Sequence, residues 1–145
     1  MKIVIQRVDN AEVAINNTES GSIDHGMVVL VGFEKTDSRE ILPAVAQKIT
    51  SMRIFEDSDG KMNRSLHDIN GSLLVIPNFT LAADCTKGNR PSFDSSLTPK
   101  DADELFEEFT HLLQQSNISV KTGIFGEHMK ITLTNNGPVT FVLEF

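Results

Sequence analysis

The sequence predicts one α+β domain, built mostly of strands with two helices. Short apolar runs of strand length recur along the chain, while only two stretches, near 37–52 and 98–117, place apolar residues at helical spacing. The chain has 145 residues, of which 39% are hydrophobic, and this is enough to bury one core. No repeat, linker or low-complexity segment divides it. We therefore expect a single domain over residues 1–145.

The first third of the chain has strand patterns. Residues 2–8 alternate along their length, and Asp9-Asn10 predicts a turn into a second strand over 12–15. Asn16-Asn17 and Gly21 predict further turns. Residues 27–31 form a continuous apolar run, which is typical of a strand covered on both faces.

Two helices are predicted from their start signals and stripes. Asp37 and Glu40 have the spacing of a capping box, and the apolar stripe behind them predicts a helix to about residue 52, with Pro43 in its first turn. Thr98 as a cap and Pro99 at the first helical position predict the second helix, which ends at Asn117.

The remaining segments are strands and loops. Residues 73–76 predict a buried strand that Pro77-Asn78 interrupts, and residues 83–96 predict a loop carrying a small basic cluster, Lys87 and Arg90. Three strands near 118–122, 129–134 and 139–144 finish the chain. Between the last two, Asn135-Asn136-Gly137-Pro138 is turn chemistry and favours a hairpin. The alternative is a ligand-facing segment, because Gly-Pro offers bare carbonyls and close approach.

Composition excludes several classes of protein. A net charge of −7 argues against a broad nucleic-acid surface, so any nucleic acid should be held locally, at an end or a few phosphates. The single cysteine, Cys85, excludes an internal disulfide and fits a reducing cytoplasm. We expect no signal peptide and no membrane span. The four histidines are scattered, and the acidic turn over 56–60 lacks calcium-loop spacing, so no metal or cofactor is expected.

Few residues are candidates for chemistry on their own. No nucleophile-elbow, Cys-x-x-Cys, P-loop or dinucleotide motif is present. Asp84 and Asp94 near Cys85 would raise the pKa of its thiol rather than activate it. Thr80 is a hydroxyl placed where a strand breaks beside a proline, but the sequence identifies no base for it, and an ordinary strand threonine is an equal alternative.

Five segments in register resemble the D-aminoacyl-tRNA deacylase family over essentially the whole chain. No single segment decides this, but five in order make accident improbable. The segments are Ile5-Gln6-Arg7-Val8; Arg53-Ile54-Phe55-Glu56-Asp57 with Gly60-Lys61-Met62-Asn63; Asn78-Phe79-Thr80-Leu81-Ala82-Ala83-Asp84 with Lys87-Gly88-Asn89-Arg90-Pro91-Ser92-Phe93; Thr122-Gly123 with Phe125-Gly126 and Met129; and Asn136-Gly137-Pro138-Val139-Thr140.

The resemblance implies a three-layer α/β/β fold with a mostly antiparallel, mixed, barrel-like sheet, and a homodimer that hydrolyses the ester of D-aminoacyl-tRNA. It implies that Gly137 and Pro138, as a Gly-cis-Pro dipeptide, reach into the partner's pocket and reject L-amino acids, and that Arg7 holds them. Glycyl-tRNA would also be cleaved, since glycine is achiral. The partners implied are aminoacyl-tRNA, through its 3′-terminal adenosine, and a second copy of the chain.

The second segment departs from the family pattern. The family usually reads Ser-Gln-Phe-Thr-Leu, whereas this chain has Pro77-Asn78 before Phe79 and Thr80. A related branch, which has a trans Gly-Pro and edits mischarged L-aminoacyl-tRNA, also begins this motif with proline but lacks the phenylalanine. The isomer of the 137–138 bond and the substrate range therefore stay open at this point.

The resemblance assigns catalysis to Asn78, Phe79 and Thr80, and substrate binding to Pro77 and Met129 beside the dipeptide and its arginine. It favours catalysis by positioning, with backbone N–H groups around 78–80 stabilising an oxyanion and the ribose 2′-hydroxyl assisting. Phe79 and Met129 would wall the pocket, with plain core packing as the alternative. Two other classes remain: a non-catalytic nucleic-acid-binding module, and a hydrolase of small D-amino-acid esters.

Overall fold

The computed structural model describes residues 1–145. Two short 3-10 helices, Arg39–Ile41 and Phe79–Ala82, accompany the regular elements. In chain order these elements are β1 (Lys2–Ile15), β2 (Thr18–Ile23), β3 (Gly26–Gly32), α1 (Leu42–Ser51), β4 (Phe55–Glu56), β5 (Met62–Arg64), α2 (Leu66–Ile69), β6 (Ser72–Pro77), α3 (Pro99–Gln114), β7 (Ser119–Thr122) and β8 (Met129–Glu144).

A mixed sheet with the strand order β2-β1-β3-β6-β7 forms the centre, and β8 also pairs with β1. β1 is antiparallel to β2, β3 and β8, whereas β3, β6 and β7 are parallel. The larger buried cluster joins one face of the sheet to α1 and α3. A smaller cluster on the other face packs Val28 and Leu74 against Val13 and Ile23, where the sheet curls over itself. The predicted α+β fold with a barrel-like mixed sheet is confirmed.

β1 is a single strand of 14 residues, so the predicted turn at Asp9-Asn10 is wrong. Both residues are exposed, and the pairing with β8 shifts register between Val8 and Asn10. Polar residues at this point indicate a bulge rather than a chain reversal, because a strand can bend at a bulge while pairing continues on either side. The bend lets one strand take part in both layers of the sheet.

β8 is likewise continuous, and the predicted hairpin turn at Asn135 to Pro138 is wrong. Both halves of β8 pair antiparallel with β1, whereas the halves of a hairpin would pair with each other. Two steps along β1, from Gln6 to Val8, correspond to five steps along β8, from Thr140 back to Asn135. Three residues of β8 are therefore extra, and the segment bulges out of the ladder there.

The two predicted main helices are present. The predicted start is confirmed for α3 but not for α1. Thr98 caps α3, its hydroxyl accepting from the Asp101 N–H at 3.3 Å, with Pro99 at the first position as predicted. The predicted capping box at Asp37 does not form. The Asp37 carboxylate instead accepts from the Glu34 N–H at 2.7 Å and from the Met1 ammonium at 2.5 Å. A long-range ion pair has displaced the local cap. Pro43 does lie in the first turn of α1.

Pro77 ends β6, as the interruption predicted, and the chain turns at once into the 3-10 helix Phe79–Ala82. α3 is the longest helix, with 16 residues. None of the helices combines the length and apolar character needed to span a membrane.

Candidate functional site

Arg7 is the only charged residue that is buried as a whole, with 4% of its surface exposed. Its Nε donates to the Asn136 carbonyl at 3.2 Å, and its Nη1 donates to the Ile54 carbonyl at 2.7 Å. Its Nη2 lies 3.3 Å from a carboxylate oxygen of the half-exposed Glu56. A buried guanidinium needs such partners to offset its lost hydration. Arg7 therefore ties β1, β4 and the bulge of β8 together.

The bulge presents Gly137 and Pro138 to solvent. The peptide bond between them is cis, and Gly137 has a φ of +129°, a conformation that residues with a Cβ rarely adopt. A Cβ built on Gly137 would lie 2.9 Å from the Val139 amide nitrogen and 3.4 Å from Nη2 of Arg7. Val139 is buried directly behind the exposed pair. The backbone at Gly137 is therefore in close contact with Arg7 and Val139 on its inner side, and no side chain of Gly137 covers it on the solvent side.

A second cluster of predicted residues lies where β6 ends. Pro77 is buried, and the Asn78 N–H donates to the Val31 carbonyl at 2.7 Å. The Thr80 hydroxyl donates to the Asn78 side-chain oxygen. No histidine or carboxylate hydrogen-bonds to Thr80, so the structure provides no general base for a threonine nucleophile. The arrangement suits binding and positioning better than covalent catalysis.

Phe79 is the large apolar side chain that this turn leaves in solvent, with 58% of its surface exposed. It packs against Phe93, with ring centroids 5.1 Å apart. Beside it is a mostly apolar cavity of about 230 Å³. The hydroxyl oxygen of Ser96 is buried there without a hydrogen-bond partner. The cavity is lined by Val31, Phe33, Pro77, Phe79, Ser96, Leu97, Pro99, Ala102, Phe125 and Gly126.

Met129 joins this second cluster through Gly123. A Cβ on Gly123 would lie 2.6 Å from the Met129 sulfur and 3.2 Å from Cδ of Pro77. The absence of a side chain at Gly123 therefore lets the thioether pack close to the buried proline. Met129 is partly buried. It supports the wall formed by the end of β6 and is not one of the residues that line the cavity.

Within one chain the two clusters lie at different positions in the sheet. Arg7 pairs across the sheet with Met27, whereas Pro77 pairs with Val31, four residues further along β3. The bulge of β8 is also three strands away from β6. Arg7 and Asn136 line a different cavity from that of Pro77 and Phe79, and the two cavities share no lining residue. In one protein chain the two clusters therefore belong to separate surface sites.

Comparisons with known proteins identify the family of the chain. The sequence model of the family described as D-Tyr-tRNA(Tyr) deacylase matches residues 4–144. The chain belongs to this family. Its membership makes it a hydrolase that acts on aminoacyl-tRNA, which is the enzyme class that the five segments predicted.

Two relatives named D-aminoacyl-tRNA deacylase extend over almost the whole chain. The protein from Teredinibacter turnerae is 54% identical over 144 residues, covering 99% of both chains. That from Thermosipho africanus is 48% identical over 144 residues, covering 99% of this chain and 97% of its own.

Solved structures show the same fold. A structure described as the c-Myc DNA unwinding element binding protein superposes with a TM-score of 0.94 at 33% identity, covering 100% of this chain and 99% of that one. A second, described as a probable eukaryotic D-amino acid tRNA deacylase, has a TM-score of 0.82 at 17% identity, covering 98% and 97%. At that identity the second likeness concerns the fold alone.

Several residues that shape the site were not among the predicted site residues. Phe93 and Phe125 stand in the segments that carry the family resemblance, yet only the folded chain puts them beside Phe79. Ser96 is one of many loop serines, and no sequence signal distinguishes it. The carbonyls of Ile54 and Asn136 that hold Arg7 are backbone groups, which leave no trace in the identity of the residues.

Proposed function

We propose that this protein removes D-amino acids from tRNA by hydrolysing the ester to the 3′-terminal adenosine, and that two copies of the chain build each active site. The observation that carries the proposal is that the two exposed clusters adjoin separate cavities in one chain. A homodimer in which Gly137-Pro138 of one copy meets Phe79-Thr80 of the other would combine them.

Chiral selection would come from backbone atoms. Carbonyl oxygens around Gly137 and Pro138 are able to accept hydrogen bonds from the substrate ammonium, and Gly137 has no Cβ to keep the substrate away. Arg7 fixes the preceding carbonyl, that of Asn136, from behind. With the ammonium and the ester both held, the side chain of an L-amino acid would collide with backbone. D side chains would point away and be tolerated, and glycyl-tRNA would be cleaved as well.

Ester cleavage would use the first amides of the 3-10 helix Phe79–Ala82. The Asn78 N–H is already bonded to Val31 and is not available. Phe79 and Thr80 begin the helix, where N–H groups have no acceptor inside the helix. Two such donors are suited to the oxyanion of the tetrahedral intermediate, which one hydrogen-bond donor typically stabilises by about 3 kcal/mol. The neighbouring ribose 2′-hydroxyl would assist the attacking water.

The terminal adenosine would occupy the cavity beside Phe79. Its apolar lining and the Phe79–Phe93 pair offer surfaces for stacking a base. The unpaired Ser96 hydroxyl gives the cavity one polar group for hydrogen bonding to that base. A substrate without adenosine would lose these contacts, which separates this function from hydrolysis of small D-amino-acid esters.

A deacylation time course tests the reaction. Purified protein is incubated with D-tyrosyl-tRNA, L-tyrosyl-tRNA and glycyl-tRNA, and the remaining ester is followed. We expect rapid loss of the D and glycyl esters while the L ester persists. Cleavage of the L ester would place the protein in the related editing branch, and cleavage of none would leave a non-catalytic role.

Mixed dimers test the shared site. Phe79→Ala and Gly137→Ala chains are each expected to lose most of their activity, and they are then co-expressed with different affinity tags. If sites are shared, each mixed dimer has one intact site, so random pairing recovers about one quarter of wild-type activity. If each chain builds its own site, mixing recovers none. Light scattering of the wild type gives the oligomeric state independently.

A further inference from the structure

A short loop beside the cavity has a closed base and an open tip. Asp84 and Ser92 exchange two backbone hydrogen bonds, of 2.8 and 2.9 Å, which form the closure. Every residue between them is exposed. Gly88 at the tip has a φ of +69°, and a Cβ added to it would meet no atom within 4 Å. Residues 85–91, called the loop tip below, therefore project away from the protein surface.

The base of this loop is attached to the candidate site. The loop follows directly after the 3-10 helix Phe79–Ala82, and the Ser95 hydroxyl donates to the Ala82 carbonyl at 2.7 Å. On its far side Phe93 packs against Phe79. The base of the loop is therefore attached to the part of the cavity wall that Phe79 forms.

The loop tip carries two positive charges that the protein does not neutralise. Arg90 is the only one of the five arginines with no side-chain hydrogen bond or ion pair, since the other four bind carboxylates, carbonyls or an amide. Lys87 has no ion pair either. Both are exposed to solvent, in a chain whose net charge is −7.

The nearest acidic residue at the closure is already engaged. The Asp84 carboxylate accepts the Thr86 N–H at 2.8 Å. Hydrogen bonds from Thr86 hold the pKa of Asp84 below its usual value. Asp94 lies beyond Ser92, outside the loop tip. Residues 85–91 themselves contain no acid.

We propose that Lys87 and Arg90 bind the phosphodiester backbone of the single-stranded 3′ end of the tRNA and so guide the terminal nucleotide into the cavity. The inference rests on the proposed function and names a part of the substrate that the two clusters do not contact. A guanidinium presents several donors in one plane and is suited to phosphate, and a lysine adds a mobile charge. Two local contacts also fit a protein too acidic for a broad RNA surface.

The test compares two substrates on the same variants. D-tyrosyl-tRNA has the phosphates, whereas D-tyrosyl-adenosine has the same ester and base without them. For Lys87→Ala/Arg90→Ala we expect KM for D-tyrosyl-tRNA to rise on the order of tenfold, with kcat nearly unchanged. The salt dependence of kcat/KM should become shallower by about 0.7 per lost phosphate contact. Kinetics on D-tyrosyl-adenosine should match those of the wild type.

Two controls accompany the variant. Lys48→Ala removes an exposed lysine of α1 and should leave both substrates unaffected. Arg90→Lys keeps the positive charge at this position. Its kcat/KM should therefore retain part of the salt dependence that the double variant loses. Unchanged KM and salt dependence for tRNA would overturn the proposal, and so would an equal loss on both substrates, which would indicate a structural role for the loop. Wild type that cleaves neither substrate would overturn the proposed function together with this inference.

Discussion

The two clusters of the site are built in opposite ways. At the bulge of β8, the backbone beside Gly137 is fixed from inside by Arg7, which bonds to residues that are 47 and 129 positions away in the chain. At the end of β6, the side chains of Asn78 and Thr80 bond to each other, and Phe79 is exposed to solvent. The bulge of β8 is preorganised by long-range polar contacts, whereas the end of β6 leaves its large apolar side chain exposed.

The difference fits the task proposed for each region. A surface that rejects a substrate by steric collision must be rigid, and a buried cation that donates from all three of its nitrogens provides rigidity. A surface that binds a base by stacking gains its contacts only when the ligand or a second chain arrives. We therefore expect substitutions at the bulge to lower stability, and those at the end of β6 to lower activity with little change in stability.

Arg7→Ala should produce the largest loss of stability. It leaves the Ile54 carbonyl without its buried partner and removes charge-assisted bonds, so the free energy of unfolding should fall by about 3 kcal/mol. Urea denaturation measures this. Arg53→Ala is the matched control, because the exposed Arg53 makes two similar bonds to Asn63 and should lose less than about 1 kcal/mol. Equal losses for the two arginines would contradict the comparison.

Gly137→Ala should come next. The new Cβ would meet the Val139 amide and side chain, and its backbone conformation disfavours residues with a Cβ, which together should cost about 2 kcal/mol. Gly60→Ala provides the control, since Gly60 also has positive φ but has open space around it. Thermal unfolding of both variants compares a glycine enclosed by neighbouring atoms with one in open space. If the Gly137→Ala protein is no less stable than Gly60→Ala, the bulge of β8 can shift to accommodate a Cβ.

Phe79→Ala should change stability by less than about 1 kcal/mol, because the ring is mostly exposed. We expect kcat/KM to fall at least tenfold, which corresponds to about 1.4 kcal/mol of transition-state binding. Phe109→Ala is the contrasting variant, because Phe109 is fully buried and its loss should cost about 3–5 kcal/mol. Wild-type activity in Phe79→Ala would remove that ring from the site.

Thr80→Ala should have the smallest effect on stability, and it should keep activity within about tenfold of wild type, since removing a group that only positions others costs modestly. Single-turnover kinetics with D-tyrosyl-tRNA measures the chemical step, and mass spectrometry searches for an acyl adduct. Asn78→Ala, which removes the acceptor of the Thr80 hydroxyl, should give a similar result. Trapping of an acyl-Thr80 adduct would show that the threonine is a nucleophile.

The amino-acid sequence was sufficient to predict the features of this protein that depend on neighbours in the chain. Thr98 and Pro99 start α3 because a cap and a first-turn proline act within a few residues. Pro77 ends β6 for the same kind of reason. The residue types of the five segments also predicted the family. These features need no knowledge of what packs against them.

Contacts between distant parts of the chain determine where it reverses and what its polar residues bind. Asp9-Asn10 and Asn135 to Pro138 have turn residues, yet each lies inside a long strand, because β1 and β8 pair along both halves. Asp37 bonds the distant N-terminus instead of capping a helix. A local pattern predicts which structures a segment is able to form. Pairing between distant strands releases more free energy than one turn preference, and it therefore determines which of those structures forms.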